Sequence, residues 1–241
     1  MTIKRMGSSG KLSRAVVADG RVYIAGTTAA EAAPDSKGQT AAILKQIDAA
    51  LAEAGSSKSH LLSVNCFVSD MRVKPGMDEA WLAWVDPKNL PARATVETLL
   101  GNPQTLVEIM VIAATSSAAS QQGAGMSNIV RTNPMGKLCD MVEHNGVLYL
   151  AGQVSENLKL DAKGQTEDIL KQIDALLAGA GSSKAKLLTA TCYVNDMRDK
   201  PKMDEAWLKW IDPKNLPARA TVEARLGSPD TLVEIMCIAA K

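Results

Sequence analysis

The sequence has few aromatic residues and few histidines. One Phe, three Tyr, four Trp and two His occur among 241 residues. Neither charge sign is in excess, because 27 Lys and Arg stand against 26 Asp and Glu, for a formal net charge of +1. This balance gives no electrostatic reason to expect a nucleic acid or an acidic membrane surface as a partner. The hydrophobic share of 46% is typical of globular proteins and argues against disorder.

Long hydrophobic runs and paired cysteines are also missing. No run of about 18 apolar residues occurs, so no transmembrane helix is expected, and the N-terminus lacks the apolar segment of a signal peptide. The four cysteines form no C-x-x-C pair, and neither histidine stands near them in a metal-ligand pattern. We therefore expect a cytoplasmic protein with free thiols, no metal site and no membrane contact.

The chain is a tandem repeat. Residues 2–115 align without a gap on residues 128–241 at a shift of 126, with 69 identities in 114 positions. A period this long predicts two whole domains rather than stacked solenoid units. Residues 116–127 are mostly small or polar and predict a flexible linker. The expected organisation is one domain at 1–115, the linker at 116–127 and a second domain at 128–241.

The first half of each repeat carries a turn signal followed by a helical pattern. Asp19-Gly20 lies between two β-prone runs and predicts a hairpin, as does Asn145-Gly146 in the second copy. An apolar stripe with helical spacing predicts a helix over 41–54, with Thr40 as its N-cap and Gly55 at its end.

The second half of each repeat alternates between strand and helix patterns. In the first copy we expect a strand over 61–68, a short helix after Pro75, and two strands over 93–98 and 106–114. The order ββ-α-β-α-ββ predicts an α+β domain, with helices on one face of a mostly antiparallel or mixed sheet.

One acidic residue stands out because its surroundings are apolar. Glu108 lies in a run whose odd and even positions are both apolar, as in a strand that is covered on both faces. A lone carboxylate there would need a partner. If the strands at 93–98 and 106–114 form a hairpin, Arg93 falls opposite Glu108, and Arg219 opposite Glu234. The pair is either a buried salt bridge that only balances charge, or an Arg that binds a substrate carboxylate beside a Glu that holds water. The spacing does not choose between these alternatives.

The layout and two segments resemble a known family. Pro-Ala-Arg-Ala-Thr-Val-Glu, at 91–97, and Val-Glu-Ile-Met, at 107–110, are similar to motifs of the reactive intermediate deaminase family (Rid, formerly YjgF). The resemblance covers nearly all of each repeat and includes the segments 22–26, 38–40, 43–55 and 68–70. It implies a chorismate-mutase-like fold for each repeat, so that the chain holds two tandem domains of this kind.

The resemblance also implies an activity. Archetypal members hydrolyse enamines and imines formed from amino acids, without metal or cofactor, at clefts between the subunits of a trimer. Their Arg binds the substrate carboxylate and their Glu orients a water. Carried over, these catalytic roles fall on Arg93, Glu108, Arg219 and Glu234.

Further positions are implied to contact the substrate, and several depart from the family pattern. They are Leu12, Ala25, Gly26, Thr27, Asp78 and Thr95 in the first repeat, and Leu138, Ala151, Gly152, Gln153, Asp204 and Thr221 in the second. Leu12 and Leu138 stand where archetypal members have Tyr, and Asp78 and Asp204 where they have Asn. Such changes of polarity shift substrate preference, since an unpaired polar group costs about 1–3 kcal/mol.

Two functions therefore remain in view. The leading expectation is an enamine/imine deaminase that acts on a small carboxylate-bearing metabolite. The alternative is a non-catalytic member that binds such metabolites or acts as a chaperone. A ribonuclease is disfavoured by the neutral charge and the lack of a basic-aromatic groove. If a ring needs three repeats, three chains supply two rings, so we expect a homotrimer with interdomain clefts as sites.

Overall fold

The computed structural model of the protein describes residues 2–120 and 129–241. The first repeat begins with three strands and continues with two helices between further strands. Its elements are β1 (Lys4–Ser8), β2 (Ser13–Ala18), β3 (Arg21–Thr27), α1 (Ser36–Glu53), β4 (Leu61–Val68), α2 (Lys74–Trp84), β5 (Ala92–Glu97) and β6 (Val107–Ala114). The first residues of the predicted linker form a short helix, α3 (Ser116–Ser120), and the rest of that linker lies outside the described residues.

The second repeat follows the same order with one extra short strand. Its elements are β7 (Val130–Pro134), β8 (Cys139–His144), β9 (Val147–Leu150), β10 (Gln153–Val154), α4 (Ala162–Gly179), β11 (Leu187–Val194), α5 (Lys200–Trp210), β12 (Ala218–Glu223) and β13 (Val233–Ala240). None of the helices in the described ranges is long and apolar enough to cross a bilayer.

The two sheets have the same topology. The first runs β1-β2-β3-β6-β4-β5, and the second runs β7-β8-β9-β13-β11-β12, with β10 paired to β13. The predicted α+β fold with a mixed sheet is confirmed. The prediction missed the first strand of each repeat, because β1 buries a single side chain, Met6, and shows no apolar alternation.

The predicted hairpin of the last two strands is wrong. β4 lies between β5 and β6, parallel to β5 and antiparallel to β6. The chain between β4 and β5 contains α2, and a helical crossover of this kind brings two strands together in parallel. Arg93 therefore lies beside Val64, and Glu108 beside Phe67. Arg93 and Glu108 are not cross-strand partners.

The first helix begins earlier than its apolar stripe suggests. Asp35 is the N-cap and accepts a hydrogen bond from the Gly38 amide at 2.8 Å, whereas Thr40, the predicted cap, is buried inside α1. The first turn is polar but fixed in place by the side chain of Gln39. Its Nε2 donates to the Gln104 carbonyl, and its Oε1 accepts from the backbone amide of Leu106. Side-chain hydrogen bonds replace apolar burial there, so hydrophobic periodicity could not detect this turn.

The hairpin turns are confirmed. Asp19 and Gly20 have φ values of 50° and 70°, and Asn145 and Gly146 have 47° and 70°. Two consecutive residues in the left-handed region suit the tight turn that matches strand twist, and Asp, Asn and Gly adopt that region most readily.

The apolar core of the first repeat extends into the second repeat, which also has a core of its own. The cluster around β4 and α1 of the first repeat also contains Cys139, Val142, Tyr149 and Ala151 of the second. The Cys139 amide donates to the Pro91 carbonyl at 3.0 Å, and so fixes β8 beside the start of β5. The sparse aromatic content fits this arrangement, because a largely aliphatic core gains buried area from the neighbouring repeat.

Candidate functional site

Arg93 is a buried cation with unused hydrogen-bond donors. It lies on β5, is 3% exposed, and its guanidinium stands over the Trp81 ring at 5.1 Å from Cζ to the ring centroid. Nη2 donates to Asp78 at 2.7 Å, while Nε and Nη1 are buried without a partner. Buried donors are nearly always satisfied in folded proteins, so two unsatisfied ones on one cation point to a ligand.

Asp78 holds three cations together. Its Oδ1 accepts from Arg93, and its Oδ2 accepts from Lys74 at 2.7 Å and from Lys137 at 2.8 Å. Burial alone would raise the pKa of this carboxyl group, but the hydrogen bonds from Lys137, Lys74 and Arg93 lower the pKa of Asp78 to about 2. Asp78 is therefore ionised at any physiological pH and fixes one end of the Arg93 guanidinium.

A second acid close to Arg93 comes from the other repeat. Glu234 on β13 is 6% exposed, and Lys74 and Arg93 of the first repeat act on its carboxyl group electrostatically. Between the repeats, the Gly152 amide donates to the Arg93 carbonyl at 3.3 Å. We call the region formed by Arg93, Asp78, Gly152 and Glu234 at the interface of the repeats the inter-repeat cleft.

Glu234 is uncharged near neutral pH. Burial raises its pKa to about 8, against the opposing effect of Lys74 and Arg93. Its cross-strand neighbour Tyr193 is also buried, and burial together with Glu234 raises the pKa of Tyr193 to about 12. The cleft therefore places a neutral carboxylic acid beside a buried guanidinium.

Gly152 allows this placement because it has no side chain. A Cβ on Gly152 would overlap Oε1 of Glu234, and a Cβ on Gly26 would overlap Oε1 of Glu108 in the same way. Each glycine lets a carboxyl group lie directly against the backbone of the neighbouring strand.

The structure divides the predicted site residues into two sets. The first set lies in or beside the inter-repeat cleft: Arg93, Asp78 and Thr95 from the first repeat, with Leu138, Ala151, Gly152, Gln153 and Glu234 from the second. Sequence reasoning paired Arg93 with Glu108 of its own repeat, whereas Arg93 pairs with Asp78 and the glutamate close to it is Glu234.

The second set is split between two outward-facing surfaces. Leu12, Ala25, Gly26, Thr27 and Glu108 lie on the first repeat, and Asp204, Arg219 and Thr221 lie on the second. Arg219 repeats the Arg93 geometry, with an ion pair to Asp204 at 2.8 Å and the Trp207 ring below, but its side chain is 24% exposed. In the described part of the chain no ion pair joins Arg219 to Glu108.

Sequence reasoning missed two lysines and the position of one tryptophan. Lys74 precedes Asp78 by one helical turn, a spacing that predicts an ion pair. Lys137 carried no comparable signal, because it reaches Asp78 from the other repeat. Trp81 is a buried core residue, and its ring also supports the Arg93 guanidinium. Cys66 is buried nearby, and burial raises the pKa of its thiol, which makes it a poor nucleophile.

Comparison with known proteins identifies the family. The sequence model described as Endoribonuclease L-PSP matches residues 2–115 and again residues 128–241. The chain belongs to the L-PSP family. A RutC family protein of Haemophilus influenzae is 43% identical over 112 residues, which cover 46% of this chain and 97% of that protein. The RutC family protein YoaB of Escherichia coli is also 43% identical over 112 residues.

Two solved structures are also similar to the chain. A YjgF family protein of Neisseria meningitidis is 41% identical and covers 48% of this chain and 96% of its own, with a TM-score of 0.47. The two family-model matches and the RutC relatives confirm the predicted resemblance to the Rid/YjgF group. A chorismatase, 15% identical, covers 94% of this chain and 76% of its own with a TM-score of 0.69, and therefore shares the two-repeat fold.

Filling the space at Gly152 should disturb this L-PSP family site. We expect Gly152→Ala to lower stability by about 1–3 kcal/mol, since the buried Glu234 carboxyl group has little room to move away. Gly26→Ala is the matched control, and its effect should be smaller because Glu108 is only half-buried. Thermal unfolding of both variants measures the difference. Equal losses would mean that Glu234 is no more constrained than Glu108.

Proposed function

We propose that the inter-repeat cleft hydrolyses small imines and enamines that carry a carboxylate, releasing a keto acid and ammonia. The observation that carries this proposal is Arg93, a buried cation whose Nε and Nη1 lack partners beside the neutral carboxyl group of Glu234. Membership of the L-PSP family, with relatives of the RutC family, supports a function of the Rid type.

Arg93 has the role of binding the substrate carboxylate. A carboxylate that enters the cleft satisfies donors that are otherwise buried and unpaired, and charge-assisted hydrogen bonds of this kind are about twice as strong as neutral ones. Asp78 and Trp81 keep the guanidinium in a single orientation. The reacting carbon next to the carboxylate is thereby held at a fixed position in the cleft.

Glu234 has the role of moving protons. As a neutral acid it donates its proton to the imine nitrogen, which makes the carbon more electrophilic and leaves a carboxylate. The carboxylate orients a water and takes one proton from it as the oxygen bonds to carbon. The same proton then passes to the amino group of the carbinolamine. Ammonia leaves as the C–N bond breaks, and the hydroxyl proton returns to Glu234 as the carbonyl forms. Proton transfer by a positioned side chain typically contributes 10²- to 10⁴-fold.

The direct test is an assay with imines generated in situ by an amino-acid oxidase. We expect the protein to accelerate release of ammonia and the 2-keto acid well above the spontaneous rate. Binding of 2-keto acids at Arg93 without acceleration of any imine would instead favour the alternative, a carboxylate-binding protein without catalytic activity.

The two outward-facing surfaces support self-association. β5 and β12 have the same sequence, Ala-Arg-Ala-Thr-Val-Glu, but β5 is buried by the second repeat and β12 is exposed. On the opposite side, Tyr149 is 3% exposed and its counterpart Tyr23 is 41% exposed. Each of the two outward-facing surfaces thus matches one side of the interface between the repeats. We propose that a second copy completes it and brings its Glu108 to Arg219.

We retain three chains as the predicted assembly. Light scattering should then give about 76 kDa, three times the 25.5 kDa of one chain. Val222→Arg, which adds a charge on the exposed face of β12, should lower that mass. Lys171→Gln, on the exposed face of α4, is the control and should leave the mass unchanged. A monodisperse single chain at high concentration would contradict the proposal.

A further inference from the structure

The inter-repeat cleft contains more positive than negative charge. Arg93, Lys74 and Lys137 all form ion pairs with the single carboxylate of Asp78. In the part of the chain that the structure describes, none of the three cations forms an ion pair with a second carboxylate. Three positive charges therefore meet one negative charge, and two remain without a counter-ion.

Glu234 does not restore the balance. It faces Lys74 and Arg93, but burial keeps its pKa at about 8, so that most molecules carry an uncharged Glu234 at pH 7. The proposed proton transfer also begins from this uncharged form. The excess of positive charge is therefore present when a substrate arrives.

This excess is larger in the inter-repeat cleft than at the matching position of the second repeat. Exposed ion pairs such as Lys37 with Glu79 and Lys163 with Glu205 join one cation to one carboxylate. The counterpart of Asp78 in the second repeat, Asp204, binds two cations, Lys200 and Arg219. The third cation of the inter-repeat cleft is Lys137, which the second repeat contributes across the interface.

The positions of the lysines suit a second acidic group. Their side chains are 26% and 41% exposed, so they lie where the cleft opens to solvent, whereas Arg93 lies at its buried end. Each ammonium group has three N–H donors, and each lysine uses one of them on Asp78. Because all three cations share one carboxylate, their nitrogen atoms are within a few ångströms of one another.

We propose that the inter-repeat cleft selects dianionic substrates, the imines of short amino dicarboxylic acids. One carboxylate binds Arg93, and the second binds the ammonium groups of Lys74 and Lys137. A short separation between the two acidic groups fits the close spacing of the three cations. This inference rests on the proposed function of the cleft, and it adds the class of substrate.

Calorimetric binding of stable analogues tests the inference without turnover. We expect succinate to bind about tenfold or more tightly than butyrate, a difference that should shrink as ionic strength rises. Imines made in situ from aspartate and from alanine should show the same preference in kcat/KM. Both measurements use dilute protein, so that the outward-facing surfaces do not associate with other chains.

Paired variants assign the preference to the lysines. Lys137→Gln and Lys74→Gln should each reduce the ratio of succinate affinity to butyrate affinity. Lys11→Gln is the matched control, because Lys11 occupies the position of Lys137 in the first repeat and is exposed. Its ratio should equal that of the parent protein.

The possible failures are distinguishable. Equal affinity for succinate and butyrate would overturn the dianion inference and leave the proposed function intact. A preference for succinate that persists when Lys74 and Lys137 are both replaced would have the same two consequences. Absence of binding by either acid, with no acceleration of either imine, would overturn the proposed function itself.

Discussion

Replacing Arg93 with Ala should lower kcat/KM for imine hydrolysis by dilute chains about 100-fold or more. The variant removes the donors for the substrate carboxylate, and hydrogen bonds to charged groups contribute about 1.5–3 kcal/mol each. Asp78 keeps its bonds to Lys74 and Lys137, so the local fold should persist. The coupled oxidase assay measures activity, and thermal unfolding confirms that the variant is folded.

Arg219→Ala provides the comparison. It removes the same side chain from the same hexapeptide, but at the outward-facing surface. There, among the residues that the structure describes, Arg219 forms an ion pair with Asp204 and with no carboxyl group of the first repeat. We expect a much smaller loss in dilute protein, and complete loss only when both arginines are replaced. Unchanged hydrolysis in the double variant would disprove the proposed site, and equal losses in the single variants would disprove the special role of the inter-repeat cleft.

Activity and stability should respond in opposite directions when Glu234 is replaced by Gln. The glutamine cannot donate the proton that starts the reaction, so kcat/KM should fall about 10²- to 10⁴-fold. In the parent protein, kcat/KM should be level below pH 8 and decline above it, because the protonated form of Glu234 is the active one and burial raises its pKa to about 8.

Stability follows from the same raised pKa. In the unfolded chain Glu234 ionises near its ordinary pKa of about 4.5, so its contribution to the free energy of unfolding is fully present below that pH. It is lost as pH rises from there through about 8, the folded pKa. Glu234→Gln carries no such ionisation and should be more stable than the parent at pH 8, by a few kcal/mol.

Denaturant titrations at several pH values and a pH profile of kcat/KM measure the two effects. Glu108→Gln is the control, since Glu108 is half-buried and should change both quantities less in dilute protein. Activity that increases above pH 8 would show that the ionised carboxylate starts the reaction, and would contradict the proton transfer described above.

Much of the fold could be predicted because its signals are local. The Asp-Gly and Asn-Gly turns, the apolar stripe of α1 and the strand pattern of β4 each depend on a few neighbouring residues. The position of β5 does not. A separation of 15 residues between Arg93 and Glu108 suits a hairpin, but the crossover through α2 places β5 on the far side of β4.

The candidate site was predictable in residue type but not in pairing. The hexapeptides of β5 and β12 are identical, so no local pattern can indicate that one is buried and the other exposed. That difference arises from the second repeat packing on the first. For the same reason, Arg93 and Glu234 could be identified as site residues from the sequence but not placed in one cleft. No sequence pattern indicates that Lys137 reaches Asp78.

The contact between two repeats of one chain determines how the site responds to dilution. The residues that form the inter-repeat cleft belong to one polypeptide, so its two halves meet at an effective concentration that chain connectivity sets, commonly in the millimolar range. A cleft between separate subunits is lost when the subunits dissociate, whereas this one persists at any protein concentration. A change in one repeat also alters only one wall of the cleft, which lets the arginine wall and the glutamate wall vary independently.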